Sequence, residues 1–139
     1  MPREFPHQSR GFNPFGDLVG LTFTGYGDGR SRCEVRVREE LLNPHGVLHG
    51  GVLYTMADTG MGGALYSLLD EGELCTTVEI KIVYFSAVRA GVLWCETRVI
   101  ERRARLAVLE SEIFNRDGEG ERLAAKALGT FYIFTGVRS

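Results

Sequence analysis

The segment between Leu41 and Leu69 constrains the fold more than any other part of the sequence. It contains no Lys, Arg or Glu, and Asp58 is its only carboxylate. Apolar and small residues recur in it every four positions in two adjacent rows, which are Val52, Met56, Gly60, Ala64 and Leu68, and Leu53, Ala57, Met61, Leu65 and Leu69. This wide apolar stripe predicts one long helix over residues 52–69, buried on most of its circumference. Burying an unpaired carboxylate is costly, so Asp58 needs a partner or a function.

Glycines mark both the surface and the end of this predicted helix. Gly60, Gly62 and Gly63 each weaken a helix by up to about 1 kcal/mol relative to Ala, so their presence indicates that another element approaches the backbone closely. Either a partner helix or the surface of a strand meets this requirement. Gly72 is the predicted end of the helix.

After the helix, the hydrophobic period changes from helical to strand-like. One set of alternating residues is Val78, Ile80, Ile82 and Tyr84, and the other is Thr77, Glu79, Lys81 and Val83. Three further strands are predicted over residues 93–101, 106–115 and 123–134, and four strands in series predict a meander. Residues 21–24 and 32–37 predict a preceding hairpin. One buried helix followed by an antiparallel sheet that wraps it is an α+β fold.

The length of 139 residues predicts one domain. Residues 1–16 include Pro2, Pro6 and Pro14 and show no periodicity, which predicts an N-terminal arm with one short helical turn near residues 15–18. Residues 17–139 then form the single domain.

Composition and charge argue against several classes of function. A formal net charge of -2 gives no support for nucleic-acid binding. No apolar run approaches the length needed to span a bilayer, so no membrane partner is expected. Cys33, Cys75 and Cys95 are odd in number and widely spaced, which is typical of reduced thiols in a cytosolic protein and not of a zinc site. The cytoplasm is therefore the expected compartment.

The loop before the helix and the first helical turns carry a specific pattern, Asn43-Pro44-His45-Gly46-Val47-Leu48-His49-Gly50-Gly51 followed by Ala57-Asp58-Thr59. Together with residues 78–85 and Gly91, this pattern resembles the hotdog-fold acyl-CoA thioesterases of the 4-hydroxybenzoyl-CoA thioesterase superfamily, in the PaaI-like branch named for phenylacetic acid degradation. The resemblance implies a long central helix wrapped by a curved antiparallel sheet, assembled as a homodimer or a homotetramer. It also implies an acyl-CoA substrate, with coenzyme A as part of the substrate and no cofactor.

Thioester hydrolysis needs stabilisation of an oxyanion, and Gly50 and Gly51 are candidates for this role. Backbone N–H groups at the start of a helix lack intrahelical acceptors, and the helix dipole favours negative charge there. Glycine also lets a ligand approach the backbone. The alternative is a glycine pair that only turns the loop into the helix.

Asp58 is the strongest candidate for a catalytic group. A carboxylate among apolar residues suits a general base or nucleophile, and the resemblance implies that it attacks the thioester or activates water. The alternative is a buried acid that is hydrogen-bonded to backbone or to Thr59. Gly50 precedes Asp58 by eight positions, or roughly 12 Å along a helix. We therefore predict a site shared by two protomers whose helices pack antiparallel around a two-fold axis.

Three further residues are candidates by resemblance, each with a structural alternative. Asn43 orients the catalytic loop or the acyl carbonyl, or is simply a turn residue before Pro44. His49 contacts the thioester carbonyl or protonates the leaving thiolate, or only caps the loop. Thr77 holds the attacking water, or is an ordinary strand residue. Thr76 takes the place of Thr77 if the register differs by one residue.

Candidates for substrate binding lie outside this motif. Arg89, Arg103 and Arg105 are candidates for contacts with the phosphates of coenzyme A, and Tyr54 and Phe85 are candidates for the acyl pocket. Solvated turns and core packing are the respective alternatives. His45 and His49 lie four residues apart but lack an obvious third ligand, so no metal site is expected.

The leading interpretation is an acyl-CoA thioesterase acting on an acyl- or arylacetyl-CoA thioester. One alternative is a hotdog enoyl-CoA hydratase or dehydratase, which needs a catalytic His paired with an acid. The other is a non-catalytic acyl-CoA-binding domain, because a fold does not fix a function.

Overall fold

One long helix packs against a six-stranded antiparallel sheet. The computed structural model describes residues 13–118 and 120–136. Its helices are α1 (Pro14–Val19) and α2 (Gly50–Tyr66), with a 3₁₀ turn at Glu39–Leu41. Its strands are β1 (Thr22–Gly27), β2 (Arg30–Arg36), β3 (Glu73–Tyr84), β4 (Val92–Arg102), β5 (Leu106–Asp117) and β6 (Gly120–Thr135). Because α2 contacts all six strands, the sheet curves around it, which confirms the predicted α+β architecture.

The predicted apolar stripe of α2 forms the centre of the core. Met56, Met61 and Leu65 are completely buried and belong to one hydrophobic cluster with residues from β4, β5 and β6, including Leu93, Leu109, Ile113 and Ile133. Each such side chain contributes roughly 1.5–3 kcal/mol relative to an exposed position. This burial fixes which face of α2 is turned away from the sheet.

The predicted helix end at Gly72 is wrong, because α2 ends at Tyr66. The Ser67 hydroxyl donates to the Ala64 carbonyl at 2.7 Å and accepts the Gly29 N–H at 2.7 Å. These bonds join the end of α2 to the turn between β1 and β2. Gly72 instead has a left-handed conformation, with φ of 87°, in the turn before β3.

Two of the three helical glycines are explained by the protomer's own sheet. A Cβ on Gly60 would lie 2.8 Å from Thr97 Oγ1, and a Cβ on Gly63 would lie 2.6 Å from the ring of Phe23. Gly62 differs, because no atom of the described chain lies within 4 Å of the equivalent position. Strand side chains therefore provide the predicted close approach at Gly60 and Gly63.

The predicted meander of four strands is wrong in the placement of β3. The sheet order is β1-β2-β4-β5-β6-β3, so β4, β5 and β6 form a meander while β3 pairs with β6 at the far edge. Residues 85–91 do not form a hairpin. Buried Val88 accepts the Leu48 N–H at 2.7 Å, which holds this connection against the loop that precedes α2. The chain therefore passes the start of α2 and enters the sheet beside β2.

A bulge changes the alternation predicted for β3. The pairing with β6 shifts between Thr77 and Glu79, and Val78 is 57% exposed. Before the bulge Thr77 is half-buried, and after it Ile80 and Ile82 are half-buried. Thr77 and Ile80 therefore share a face, contrary to the strict alternation, because one extra residue reverses the phase of a strand.

Helix α1 and the hairpin of β1 and β2 are the elements that precede α2. Helix α1 contains the predicted turn near residues 15–18 and crosses the predicted boundary between arm and domain, while residues 1–12 lie outside the described residues. The predicted hairpin is present as β1 and β2. Cys33 and Cys95 are buried, Cys75 is half-buried, and none of the three forms a disulfide.

Candidate active site

Asn43 shapes the loop that precedes α2. Its side-chain Oδ1 accepts the N–H of His45 at 2.9 Å and the N–H of Val47 at 3.3 Å. Its backbone N–H donates to the Val47 carbonyl at 2.7 Å. These contacts are the ones expected of Asn43 as a turn residue before Pro44. They also leave the Asn43 amide nitrogen without a partner among residues 13–118 and 120–136, so its N–H groups remain potential donors.

His49 caps α2 and engages the N–H of one of the two predicted oxyanion donors. His49 Nδ1 accepts the N–H of Gly51 at 2.8 Å. The Gly51 amide is therefore already engaged, while the Gly50 N–H has no acceptor within the described part of the chain. Because Nδ1 accepts a hydrogen bond, a neutral His49 ring carries its proton on Nε2. The start of α2 thus offers two donors, the Gly50 N–H and the His49 Nε2–H.

Tyr84 covers Gly50 and is a site residue that the sequence analysis missed. Its hydroxyl donates to the Gly50 carbonyl at 2.9 Å, and its ring lies 3.1 Å from the position of a Cβ on Gly50. A side chain at residue 50 would press against this ring, which would have to shift by a few tenths of an ångström to admit it. Burial, and secondarily the nearby Tyr54, raises the pKa of Tyr84. The motif named Tyr84 only as a strand residue, and nothing local indicated that it reaches α2.

Asp58 accepts a hydrogen bond from Thr77. The Thr77 hydroxyl lies 2.6 Å from Asp58 Oδ1, and both residues are half-buried. Asp58 is therefore less enclosed than the apolar stripe predicted, and its hydroxyl partner is Thr77 instead of Thr59. Thr76 is exposed on the other face of β3. The bulge in β3 directs Thr77 towards α2.

One protomer does not bring Asp58 and Gly50 to the same carbonyl group. Both lie on the unbroken helix α2, which separates them by roughly 12 Å. Gly51 and Tyr54 are exposed and Asp58 and Gly62 are partly exposed, so this face of α2 is not covered by the sheet. Asp58 is thus accessible from the side of α2 that faces away from its own strands.

Two clefts flank the start of α2. The first, which we call the β3-side cleft, has a volume of about 350 Å³ and is lined by Leu48, Gly50, Leu53, Tyr84, Phe85, Ser86, Ala87 and Val88. The second, which we call the α1-side cleft, has a volume of about 320 Å³ and is lined by Phe15, Val19, Glu40, Leu41, Leu42, His49, Gly51, Val52 and Thr55. Phe85 therefore lines the β3-side cleft, whereas Tyr54 lines neither cleft, and the acyl-pocket roles of both residues remain predictions.

The three predicted phosphate-binding arginines lie at opposite ends of the sheet. Arg89 follows Val88, which lines the β3-side cleft. Arg103 and Arg105 lie at the turn between β4 and β5. The adjacent Arg102 pairs with Glu73, which follows α2 in the chain, so this turn lies near the end of α2 and not near its start. Arg103 is 77% exposed and is 3.8 Å from Glu101, and neither Arg89 nor Arg105 forms an ion pair within the described ranges. One protomer therefore does not gather these cations around Gly50.

Among the residues that the structure describes, no three His, Cys, Asp or Glu side chains are grouped as a metal site. Within the same ranges, neither helix has the length and apolar character needed to cross a membrane.

Two sequence comparisons identify the family. The family model of the thioesterase superfamily matches residues 45–121, which is more than half of the chain. Protein SSO1253 of Saccharolobus solfataricus, whose name describes a candidate esterase, is 32% identical over 118 residues. The match covers 85% of this chain and 76% of that protein.

Solved structures share the fold. Conserved protein PA5202 of Pseudomonas aeruginosa has a TM-score of 0.83 at 34% identity, over 93% of this chain and 100% of that chain. A variant of the phenylacetic acid degradation protein PaaI of Thermus thermophilus has a TM-score of 0.77 at 24% identity, over 86% of this chain and 98% of that chain, and this likeness concerns the fold alone. The hotdog architecture is confirmed. The chain belongs to the thioesterase superfamily and is a thioester hydrolase with the hotdog fold.

Proposed function

We propose that this protein is an acyl-CoA thioesterase of the PaaI-like branch, with active sites shared between two protomers. The observation that carries the proposal is the hydrogen bond of 2.6 Å from Thr77 to Asp58, on a face of α2 that the sheet leaves uncovered. A buried, fully paired acid would be a structural group. Asp58 instead has one oxygen held by Thr77 and an open side, as a base or nucleophile requires.

The start of α2 supplies the oxyanion donors in this proposal. The Gly50 N–H and the His49 Nε2–H bind the thioester carbonyl oxygen and stabilise the negative charge that develops on it. Gly51 contributes indirectly, because its N–H holds the His49 ring in place at 2.8 Å. Asn43 keeps the loop in the conformation that presents His49.

Asp58 of the partner subunit supplies the base or nucleophile. As a base, it takes a proton from a water molecule held by the partner subunit's Thr77. The resulting hydroxide attacks the carbonyl carbon. The carbon–sulfur bond then breaks, the thiolate of coenzyme A leaves and takes up a proton, and the acid is released. As a nucleophile, the carboxylate attacks the carbonyl carbon and displaces the thiolate of coenzyme A, and water then hydrolyses the resulting anhydride to the free acid and the Asp58 carboxylate. Neither route requires a cofactor, because coenzyme A is part of the substrate.

The open edge of β3 is the surface that we propose for dimerisation. In the described chain β3 pairs with β6 on one side, and its other edge has no strand beside it. A long open edge with exposed apolar residues pairs readily with another strand. Thr77 lies beside Asp58 and Tyr84 lies beside Gly50, so a shared site places these two β3 positions opposite each other. The two-fold axis then passes midway between Ile80 and Lys81.

The experiment is an assay of thiol release from a panel of acyl-CoA and arylacetyl-CoA thioesters, with the wild type and Asp58→Asn. We expect the wild type to release coenzyme A and Asp58→Asn to lose about 10²- to 10⁴-fold in kcat. Binding without thiol release would establish the non-catalytic alternative. Addition of water to enoyl-CoA with the thioester intact would establish the hydratase alternative.

Subunit mixing tests the shared site. Asp58→Asn and His49→Ala protomers are each expected to be inactive, but a mixed dimer has one intact site. Random reassortment makes half of the dimers mixed, so about a quarter of the wild-type activity is expected. A mixture with no more activity than its inactive parents would contradict the shared site.

A further inference from the structure

We propose that the α1-side cleft binds the acyl group and that the β3-side cleft binds the pantetheine arm of the same thioester. This assignment rests on the proposed function, because it starts from a carbonyl bound at Gly50 and His49. It adds the location of each half of the substrate and the residues that determine the preferred acyl length.

Both clefts begin at the proposed oxyanion donors. Gly50 lines the β3-side cleft, and His49 lines the α1-side cleft. A thioester carbonyl has two substituents, the acyl carbon and the sulfur. With its oxygen between the Gly50 N–H and the His49 Nε2–H, the carbonyl group directs one substituent into each cleft.

The α1-side cleft is suited to a hydrocarbon because its polar groups already have partners. The Thr55 hydroxyl donates to the Gly51 carbonyl at 2.8 Å, and the Glu40 carboxylate lies 3.5 Å from Arg38 Nε. His49 Nδ1 accepts from Gly51. The remaining walls are apolar and comprise Phe15, Val19, Leu41, Leu42 and Val52. An acyl chain therefore loses no hydrogen bonds there and removes apolar surface from water.

Arg38 fixes the wall of this cleft that α1 provides. Its guanidinium donates to the carbonyl oxygens of Leu18 and Val19 at 2.6 Å each, at the end of α1. Phe15 is consequently held at the cleft although its ring is 58% exposed. A longer acyl chain covers more of this exposed ring.

The β3-side cleft contains a hydroxyl group, that of Ser86, which suits pantetheine. The Ser86 Oγ is buried and has no hydrogen-bond partner within residues 13–118 and 120–136. Pantetheine carries two amides, which provide donors and acceptors that hydrocarbon lacks, and a small rotation of Ser86 would present its hydroxyl to one of them. Arg89 is exposed and lies three residues further on, towards the mouth expected for the nucleotide phosphates.

The experiment measures binding as a function of acyl length with 2-oxoalkyl-CoA thioethers, in which a CH₂ group between sulfur and carbonyl prevents hydrolysis. For the wild type we expect the Kd to fall about fourfold per added CH₂, from about 0.8 kcal/mol per buried CH₂, until the cleft is full. Phe15→Ala should flatten this dependence. Leu18→Ala is the matched control, because Leu18 lies on the same helix, is 70% exposed and does not line the cleft.

Variants of the other cleft complete the test. Phe85→Ala should weaken the binding of every chain length by the same factor, and Ser86→Ala should weaken the binding of free coenzyme A. If Phe85→Ala flattens the length dependence while Phe15→Ala preserves it, the assignment is reversed and the proposal is wrong. A length dependence that is unaffected by both variants also contradicts it. Binding does not require turnover, so absence of thiol release would refute the proposed function without affecting this test.

Discussion

The hydroxyl of Thr77 donates to Asp58 Oδ1 at 2.6 Å and thereby joins edge strand β3 to the acid of α2. A hydrogen bond to a charged group contributes roughly 1.5–3 kcal/mol. In the proposed mechanism this bond orients the carboxylate and leaves the oxygen of Thr77 able to accept from water. The pair therefore connects edge strand β3 to the residue that we propose as base or nucleophile.

Thr77→Val removes this hydrogen bond while retaining the shape of the side chain. We expect kcat to fall at least about tenfold, because part of the bond's roughly 1.5–3 kcal/mol is lost in the transition state. Thr77→Ser keeps the hydroxyl and should retain most of the activity. Steady-state kinetics with a hydrolysed acyl-CoA provides the measurement. Equal activities for the two variants would remove Thr77 from the mechanism.

Tyr84→Phe removes the hydroxyl that donates to the Gly50 carbonyl but keeps the ring over Gly50. The loss of one neutral hydrogen bond is expected to lower kcat about three- to tenfold by loosening the start of α2. Because the pKa of Tyr84 is raised, its contribution to stability is complete below about pH 10, the ordinary pKa of a phenol, and is lost as the pH rises through the raised value. Titration of the phenolate absorbance should show a late-rising component in the wild type that is lost in Tyr84→Phe.

Gly60→Ala and Gly62→Ala are a matched pair on α2. The new Cβ at residue 60 would lie 2.8 Å from Thr97 Oγ1, and Thr97 is buried and bonded to Ser111 at 2.7 Å. We expect Gly60→Ala to lower the free energy of unfolding by about 1–3 kcal/mol through overpacking. Gly62→Ala meets no atom within 4 Å in the described chain and should raise it by up to about 1 kcal/mol. Urea denaturation distinguishes the two variants, and equal effects would contradict the close packing of Gly60 against Thr97.

Arg102 and Glu73 connect β4 to the start of β3 at 2.8 Å, with side-chain exposures of 26% and 24%. Arg102→Met is expected to lower the free energy of unfolding by about 1–3 kcal/mol, because the Glu73 carboxylate loses a charged hydrogen bond. Arg103→Met should change it by less than about 0.5 kcal/mol, since Arg103 is 77% exposed and its pair is 3.8 Å long. Thermal unfolding of both variants checks this difference. If Arg103 contacts the nucleotide, its variant should instead raise the KM for acyl-CoA.

Much of the fold could be predicted because its signals are local. The amphipathic segment with its single carboxylate specified α2, and its start agreed with the cap that His49 provides. The end of α2 was predicted incorrectly, because Gly72 is a strong local signal whereas the bonds from Ser67 to Ala64 and Gly29 depend on the turn between β1 and β2.

The motif indicated most of the candidate site, but not the contacts between its members. Asn43, His49, Gly50 and Asp58 were identified from the pattern, and their catalytic roles remain predictions. The pattern did not show that His49 accepts a hydrogen bond from the Gly51 N–H, which leaves the Gly50 N–H as the available donor. It also did not indicate that Tyr84 covers Gly50.

By itself, the sequence determined the helix, the strands and the motif at the helix start, because periodicity and capping act between residues that are near neighbours in the chain. Only the tertiary structure decided that β3 lies beside β6 and that its bulge turns Thr77 towards Asp58. Strand pairing joins residues far apart in sequence, and a shift of one residue reverses every side chain of a strand. The contacts at Asp58 and Gly50 depend on that pairing, so the local sequence pattern did not specify them.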